Sequence, residues 1–319
     1  MSEPTSASRR ASPRVLVLGG SGFIGREVLR YLHAARPETD ISALYRNQPL
    51  PDLPVEAIQG DIETLDWKQF SEQPPDTIIH LARISGRGKL SRIRAGRRGK
   101  QASCRMIAWL KTLPTPPHVV YVSGTLVYGD CGTDKVDETQ PLRPIAFQRE
   151  YIEAEYPFLE LQEQATGIPV SIVRPPWVIG AGSWFAQFYA LPALTKGVIT
   201  QFGRGKNLMS LIHVRDCAAQ IAEAALAGRE GAVYNLHASE AISYRRFIEI
   251  TSEATGADIS RWSWLRLRLK YGKTVSEALS FSMHVASNKA LIRDFPNVYP
   301  DAASAIRAVV DELQQKPQR

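Results

Sequence analysis

An apolar run followed at once by regularly spaced glycines is the feature that most constrains this chain. Residues 14–18, RVLVL, have the β-branched and leucine-rich character of a strand buried on both faces. The turn GGSGFIG at 19–25 then places Gly19, Gly22 and Gly25 three residues apart, directly before the helical spacing of REVLRYLHAA. In this context the glycines permit a tight turn, close approach of the backbone to a pyrophosphate, and close packing of helix on strand. The segment therefore predicts dinucleotide binding.

Later apolar segments alternate with stretches long enough for helices. The strand-like runs are DISALYRN, VEAIQGD, DTIIHLA, HVVYVSG, IPVSIVRPP and AVYNLHA, and DCAAQIAEAALAG has the spacing of a helix. Strands that alternate with helices imply right-handed crossovers and a parallel sheet. We expect an α/β fold, a doubly wound parallel sheet of the Rossmann type, with a smaller C-terminal substrate lobe.

The same pattern suggests a division of the chain. Residues 1–13 are polar and are interpreted as a solvated, disordered tail without the apolar region of a signal peptide. Residues 14–176 are predicted to form the NAD(P)-binding domain, and 177–319 the substrate lobe. Within that lobe, 211–238 is expected to return to the Rossmann sheet.

Composition excludes several classes of protein. The chain has 319 residues, of which 44% are hydrophobic and 22% charged, so it can bury a globular core. No apolar run approaches the roughly 18–20 residues that span a bilayer, so no integral membrane segment is expected. The three cysteines are isolated and the six histidines lie far apart, which argues against disulfides and against a metal site. These features favour a cytoplasmic protein.

The net charge of +7 is concentrated in one stretch. From Arg83 to Arg105 there are nine Lys or Arg residues, four glycines, no acidic residue and no aromatic residue. No recognisable nucleic-acid-binding module accompanies the charge, so no nucleic acid partner is expected. The stretch is interpreted as a solvated, partly mobile basic loop, with a rim that attracts an anionic cofactor or substrate as the alternative.

The end of the second strand bears on which dinucleotide binds. An NAD site usually has an acidic residue there for the ribose hydroxyls, whereas this strand ends in Arg46 and Asn47. Arg46 is expected to face a 2′-phosphate, which favours NADP(H) and leaves NAD(H) open. Asp61, after the third strand, is a candidate acceptor for the adenine amino group, and a plain exposed turn residue is the competing interpretation.

Seven segments resemble the extended short-chain dehydrogenase/reductase family, the NAD-dependent epimerase/dehydratase group. They are GGSGFIG (19–25), GDI (60–62), IIHLA (78–82), VVYVSGTLVYGD (119–130), VDETQPLRP (136–144), SIVRPPWVIG (171–180) and LIHVRD (211–216). The resemblance covers nearly the whole chain from Val15 to Ala308. It implies a nicotinamide cofactor and a homodimer. The residues expected to contact the cofactor are Gly19, Ser21, Gly22, Phe23, Ile24, Gly25, Arg46, Asp61, Ile62, Leu81, Ala82 and Arg83.

The sequence departs from the catalytic residues that the resemblance implies. That family uses a Ser or Thr hydroxyl together with the Tyr and Lys of a Y-x-x-x-K motif. Here the hydroxyl position falls on Gly124, between Ser123 and Thr125, while Phe147 stands at the tyrosine position and Tyr151 at the lysine position. No Y-x-x-x-K motif occurs in the chain.

Two functional hypotheses remain after that loss. In the first, the chain is an NAD(P)H-dependent reductase in which Tyr151 donates the proton and Thr125 or Ser123 polarises the substrate oxygen, with Tyr128 and Arg83 as further candidates. In the second, the chain binds NAD(P) without redox activity, as a regulatory module or a non-redox isomerase or cyclase. Surface packing is the competing interpretation of Tyr151.

The substrate side favours a small, mostly apolar metabolite over a nucleotide sugar. Met209 stands where the family's nucleotide-sugar enzymes usually have an arginine, and a thioether cannot clamp a diphosphate. Aromatic residues that are candidates for the cleft, with ordinary core packing as the alternative for each, are Trp177, Trp184, Phe185, Phe188, Tyr189, Trp262 and Trp264. Arg261, Arg266 and Arg268 lie around the last two and give that stretch the pattern of an amphipathic, membrane-facing surface.

Overall fold

Seven parallel strands form the central sheet of the chain. The computed structural model describes residues 12–86, 88–164, 166–227 and 231–315, so most of the predicted N-terminal tail lies outside the described residues. The strand order is β12-β7-β5-β4-β1-β2-β3. These strands are β1 Arg14–Leu18, β2 Asp40–Tyr45, β3 Glu56–Gln59, β4 Thr77–His80, β5 His118–Val122, β7 Val170–Arg174 and β12 Val233–Asn235. The predicted doubly wound Rossmann-type sheet is confirmed.

Helices cover both faces of this sheet because its inner strands are apolar on both sides. Along β1, Val15 and Val17 face one helical layer while Leu16 and Leu18 face the other. The first layer contains α1 Phe23–Ala35 and α5 Val214–Leu226, and the second contains α2 Lys89–Leu110 and α3 Tyr156–Glu163. The strand order reverses between β4 and β1, which is where such sheets open a crevice at the carboxyl ends of their strands.

Helix α2 corrects one expectation, because it occupies most of the stretch that was interpreted as a mobile basic loop. Lys and Arg are good helix formers, and the long helix has small residues on its inner face. A Cβ on Gly96 would lie 1.9 Å from the Glu150 carbonyl oxygen, and one on Gly99 would lie 3.0 Å from the Ala154 Cβ. These glycines therefore mark close packing between α2 and the segment around 150–154, not a break in the chain.

The remaining elements form a smaller lobe and short connecting sheets. The lobe core lies among the helices and the strand pair β9–β14. Residues 211–213 pair with β8, and α5 and β12 then return to the main sheet. These elements are β6 Lys135–Val136, β8 Trp177–Ile179, α4 Leu191–Lys196, β9 Val198–Phe202, β10 Leu208–Met209, β11 Leu211–His213, β13 Ile242–Ser243, α6 Tyr244–Thr255, β14 Asp258–Trp262, α7 Trp264–Ser280, β15 His284–Val285, α8 Ala290–Arg293 and α9 Ala302–Gln315.

Candidate active site

The glycine turn makes a compact cradle at the start of α1. Gly19 has φ +87°, and its backbone N–H and that of Gly20 both donate to the Leu44 carbonyl at 3.1 Å. A Cβ on Gly25 would lie 2.2 Å from the Gly19 carbonyl oxygen, so the third glycine is required by the close approach of helix and turn. Gly22 caps α1 without a side chain, which leaves the first N–H groups of the helix to an anion. The turn has the geometry of a pyrophosphate site.

The other predicted cofactor residues surround this cradle. A Cβ on Gly19 would lie 2.9 Å from the Ala82 nitrogen, so the end of β4 lies against the glycine turn. Ala82, Ile62 and Arg83 line one small cavity beside it. Of the remaining four, Leu81 and Ile24 are half-buried in the core, and the ring of Phe23 lies against Gly180. The carbonyl of Ser21 accepts a hydrogen bond from Arg26 at 3.0 Å.

Arg46 and Asp61 lie together at the tips of their strands. The Arg46 Nη1 is 3.2 Å from the Asp61 Oδ2, and the Arg46 side chain is 64% exposed. Asp61 also accepts from the backbone N–H of Glu63 at 3.0 Å. The sequence did not predict this ion pair. It places an acceptor beside the guanidinium, where a cofactor's 2′-phosphate or ribose hydroxyls would compete for it.

Tyr151 is buried against the loop that follows β4. Its hydroxyl accepts from the backbone N–H of Gly86 at 3.2 Å and donates to the Gly86 carbonyl at 3.4 Å, the second of which is a long hydrogen bond. The guanidinium carbon of Arg83 lies 4.1 Å from the centroid of the Tyr151 ring, a cation–π distance. Phe147 packs against the same ring, with 5.9 Å between centroids. Phe147 and Tyr151, four residues apart in the chain, are thus in contact with each other.

Two of the predicted hydroxyl groups belong to a buried polar network. Ser123 donates to the Glu155 carboxylate, which forms an ion pair of 2.7 Å with Arg174. Arg174 also donates to the Tyr128 hydroxyl at 2.9 Å, and that hydroxyl donates to Asn235 at 2.6 Å. Burial raises the pKa of Tyr128. Ser123 and Tyr128 are therefore engaged in a network that links β5, β7 and β12.

Thr125 and Gly124 lie where β5 ends. Thr125 is buried, and its backbone N–H donates to the Pro175 carbonyl at 3.0 Å. Gly124 has an extended backbone with φ 176°, and a Cβ there would meet nothing closer than the Pro175 carbonyl oxygen at 3.7 Å. The backbone therefore does not require glycine at the position where the family has a hydroxyl.

An aromatic cluster stands over Phe147. The rings of Trp184 and Phe147 are 5.6 Å apart and those of Trp184 and Phe188 are 6.0 Å apart, each edge to face. Trp184 is 46% exposed and Phe188 54% exposed, so both present apolar surface to solvent. Phe185 and Tyr189, which alternate with them on the same segment, are buried in the lobe core. The aromatic residues predicted for the cleft are therefore divided between this exposed cluster and the lobe core.

The other predicted aromatics lie elsewhere in the smaller lobe. Trp177 is half-buried, 5.4 Å from the ring of Phe247. Trp262 packs against Phe202 at 6.1 Å, and Trp264 lines an open cavity of about 510 Å³ together with Arg204 and Lys206. These tryptophans are therefore packed within the lobe and are not part of the aromatic cluster over Phe147.

Arg92 is a candidate that the sequence interpretation missed. It lies on the buried face of α2, its guanidinium carbon is 6.0 Å from the centroid of Phe147, and that of Arg83 is at the same distance. The Arg92 side chain is 11% exposed, and its Nε lies 3.8 Å from the Glu150 Oε2. Neither of these atoms has a hydrogen-bond partner within the described part of the chain. The helical spacing of the basic stretch was the signal that could have identified it.

A small cavity of about 20 Å³ lies behind Tyr151 and has room for about one water molecule. His80, Ser103 and Tyr121 line it together with Tyr151. Burial lowers the pKa of His80 to about 4, so its imidazole is neutral at ordinary pH. Its Nδ1 has no hydrogen-bond partner among the described residues.

No group of three or more His, Cys, Asp or Glu side chains in the described ranges is arranged to hold a metal ion. No helix within them combines the length and the apolar character needed to cross a membrane. The three cysteines are free thiols.

Comparison with known protein families gives a match over most of the chain. The NAD dependent epimerase/dehydratase family matches residues 15–236. A curated relative from Stigmatella aurantiaca, the 4-hydroxy-2-methyl-3-oxo-4-farnesyl-3,4-dihydroquinoline-1-oxide ketoreductase, is 28% identical over 256 residues. That alignment covers 76% of this chain and 73% of the relative.

Solved structures with the same fold cover almost the entire chain. The dTDP-glucose 4,6-dehydratase of Bacillus anthracis, in complex with NAD, has a TM-score of 0.78 and 19% identity over 95% of this chain and 97% of that one. The human epimerase family protein SDR39U1, with NADPH, has a TM-score of 0.74 and 19% identity over 93% of this chain and 99% of that one. At this identity the similarity establishes the fold.

Proposed function

Because the chain belongs to the NAD-dependent epimerase/dehydratase family, we propose that it is an NAD(P)H-dependent ketoreductase. Its substrate is a small, mostly apolar metabolite with a reducible carbonyl, and not a nucleotide sugar. The observation that carries the proposal is the exposed aromatic cluster over Phe147, flanked by two guanidinium groups beside the glycine cradle. The ketoreductase activity of the Stigmatella relative supports it.

The cofactor is a nicotinamide dinucleotide held by the glycine turn. Its pyrophosphate would lie on the N–H groups at the start of α1, and Arg46 would face the 2′-phosphate of NADP(H). NAD(H) remains the alternative, since Asp61 already engages Arg46. When bound, the reduced nicotinamide supplies the hydride. Structural neighbours with NAD and with NADPH support both forms.

The substrate class follows from the surroundings of Phe147. Trp184 and Phe188 offer exposed apolar surface, which suits a flat ring system or an isoprenoid chain. Arg83 and the partly unpartnered Arg92 offer positive charge to an electron-rich oxygen on that ring system. A ring ketone fused to an aromatic ring, with an electron-rich oxygen and an apolar tail, combines both features. The Stigmatella relative is named for such a compound, a farnesylated 3-oxo-dihydroquinoline 1-oxide.

Proton delivery falls to Tyr151, with Thr125 polarising the carbonyl. As hydride reaches the carbonyl carbon, the oxygen becomes an alkoxide and takes a proton from the Tyr151 hydroxyl. For that step the hydroxyl exchanges its long bond to the Gly86 carbonyl for the substrate oxygen. Arg83, over the Tyr151 ring, then stabilises the negative charge left on the phenolate. Ser123, named with Thr125 as a polarising hydroxyl, supports the network around Glu155 instead.

A second candidate function is binding of NAD(P) without redox chemistry. Phe147 at the family's tyrosine position favours it, because a phenyl ring donates no proton. In that case the same cleft would serve a sensor, or an isomerase or cyclase.

Substitution of Tyr151 by Phe tests the proposed reduction. We expect kcat for ketone reduction to fall by about 10²–10⁴-fold, the usual contribution of a general acid, while NADPH binding is unchanged. Nicotinamide absorbance reports turnover and nicotinamide fluorescence reports binding, with flat aromatic and prenylated ketones as substrates. Tyr156→Phe, on a half-buried tyrosine at the start of α3, is the matched control. An unchanged kcat in Tyr151→Phe would refute the proton-donor role.

A further inference from the structure

The first two turns of α7 present an apolar ridge to solvent. Leu265 is 68% exposed and Leu269 79% exposed, and their spacing of four residues places them on one face of the helix. Leu267 points the other way and is fully buried in the lobe core. Gly272, with φ +80°, ends this half of the helix at a kink. Leucines that are this exposed and this close together are unlike the scattered single apolar residues of an ordinary surface.

Positive charge flanks the ridge on both sides. With about 100° per residue, Arg268 lies on one side of the leucines, and Arg266 and Lys270 lie on the other. From Arg261 to Ser276 the chain has five Lys or Arg residues and no acidic one. No ion pair forms on any of these five cations within the described ranges. The charge therefore faces solvent largely uncompensated.

An aromatic residue lies at the base of this basic face. The guanidinium carbon of Arg266 is 3.8 Å from the Trp262 ring centroid, and the Lys270 Nζ is 4.8 Å from it. Tyr271 is 38% exposed, with the same ammonium 5.3 Å from its ring. Cation–π contacts hold the two basic side chains in place, and the half-buried indole and phenol have the amphipathic character favoured at the headgroup level of a bilayer.

We propose that α7 docks this protein onto the surface of an anionic lipid bilayer. The leucines insert below the headgroups while the cations on either side contact lipid phosphates, the arrangement of an interfacial amphipathic helix. Charge complementarity selects this occupant, because leucines flanked by uncompensated cations match apolar chains beneath a layer of negative charge. The helix lies in the interface and does not span it. Docking would place the enzyme where an apolar substrate concentrates.

Sedimentation with vesicles tests the docking without turnover, so it is independent of the proposed reduction. We expect the full chain to bind vesicles of phosphatidylcholine with phosphatidylglycerol, to bind pure phosphatidylcholine far less, and to be released by salt. Leu265→Ser with Leu269→Ser is expected to abolish binding. Arg268→Gln with Lys270→Gln is expected to lower the partition coefficient by roughly tenfold or more.

Matched controls come from other surfaces of the same chain. Leu90 and Val298 are both 71% exposed, so Leu90→Ser with Val298→Ser removes equal apolar surface elsewhere, and Arg94→Gln with Arg97→Gln removes equal charge from α2. These controls should leave vesicle binding unchanged, and circular dichroism should show every variant folded.

Three results would overturn the proposal. One is a wild-type protein that does not bind the anionic vesicles, and another is loss of binding in the controls, which assigns the contact to a different face. The third is a concentration-dependent dimer, seen by analytical ultracentrifugation, that Leu265→Ser with Leu269→Ser abolishes. That result would assign the ridge to a second copy of this chain.

Discussion

Arg46 is the residue on which we propose that cofactor preference depends. Its exposed guanidinium already contacts Asp61 at 3.2 Å, so part of its charge is neutralised before any cofactor binds. The absence of an acidic residue at the strand tip could be read from the sequence. The ion pair could not, because Asp61 lies fifteen positions away, just after the neighbouring strand β3.

Two opposite changes test the role of Arg46. Asp61→Asn frees the guanidinium and is expected to strengthen binding of NADPH relative to NADH. Arg46→Gln is expected to weaken NADPH by about tenfold or more, the worth of a charge-assisted hydrogen bond, with little effect on NADH. Fluorescence titration of both nucleotides measures this, and Arg30→Gln on the exposed side of α1 is the control. Equal losses for the two nucleotides would contradict the phosphate assignment.

The residues of the candidate active site were only partly predictable. Register alone placed Phe147 and Tyr151 at the altered family positions, and the structure brings their rings into contact. The Gly86 backbone that binds the tyrosine hydroxyl comes from a loop 65 residues away in sequence, so no local pattern indicated it. Arg92 was not predicted as a site residue because the glycines inside α2 led to the interpretation of this stretch as a loop.

Glu155 connects separate secondary-structure elements through its buried carboxylate. Its carboxylate joins Ser123 at the end of β5 to Arg174 on β7, and both members of the ion pair are almost completely buried. A buried charge that loses its partner is costly, whereas an exposed one is not. The ion pair therefore holds the segment that carries Tyr151 against the sheet.

Glu155→Gln is expected to lower the free energy of unfolding by about 3–5 kcal/mol, because Arg174 keeps its charge without a counter-ion. Urea unfolding measures the loss. Glu153→Gln in the same segment removes the ion pair to Lys100, whose members are 45% and 43% exposed, and should change stability by no more than about 1 kcal/mol. Similar losses in both variants would show that the buried pair contributes nothing special.

Secondary structure was most predictable where burial decided it. The apolar runs that form the inner strands of the central sheet, such as β1, β4 and β7, are buried on both faces, so their composition alone identified them. Helix α2 was missed because close packing, and not chain reversal, explains its glycines. The sequence also could not show that Phe185 and Tyr189 are buried while Trp184 and Phe188 are exposed. Only the tertiary fold decides which face of that helical segment is covered.

At the scale of the whole molecule, buried neutral histidines couple stability to pH. Burial lowers the pKa of His80 from 6.5 to about 4, and burial with nearby Arg215 does the same for His213. The unfolded chain takes up these protons as pH falls through 6.5, while the folded chain does not until about 4. As pH falls from 6.5 to about 4, each histidine therefore lowers the free energy of unfolding by at most about 1.4 kcal/mol per pH unit.

His80→Phe is expected to make the free energy of unfolding less dependent on pH. The slope should fall by the equivalent of about one bound proton. The phenyl ring keeps the packing against Tyr121 and Phe158, and the unpartnered Nδ1 is removed. Urea midpoints measured across the window give the slope, with His33→Gln on α1 as the control. A slope identical to that of the wild type would contradict the assignment of a buried, neutral His80.

The fold of this chain is confirmed, whereas its reaction is proposed. The doubly wound sheet and the family were predictable because the strand pattern and the family's short motifs, the glycine turn among them, are spread over most of the chain. The substrate was not, because it depends on side chains brought together from α2, the Phe147 segment and the Trp184 segment. The cytoplasmic location and the homodimer stay predictions.

The most direct test is to mix the purified protein with NADPH or NADH and a panel of flat aromatic and prenylated ketones. The account predicts that nicotinamide fluorescence changes on binding and that its absorbance is then lost in step with formation of the alcohol. Tight binding of either nucleotide with no oxidation on any ketone would contradict the reductase and favour the non-redox alternative.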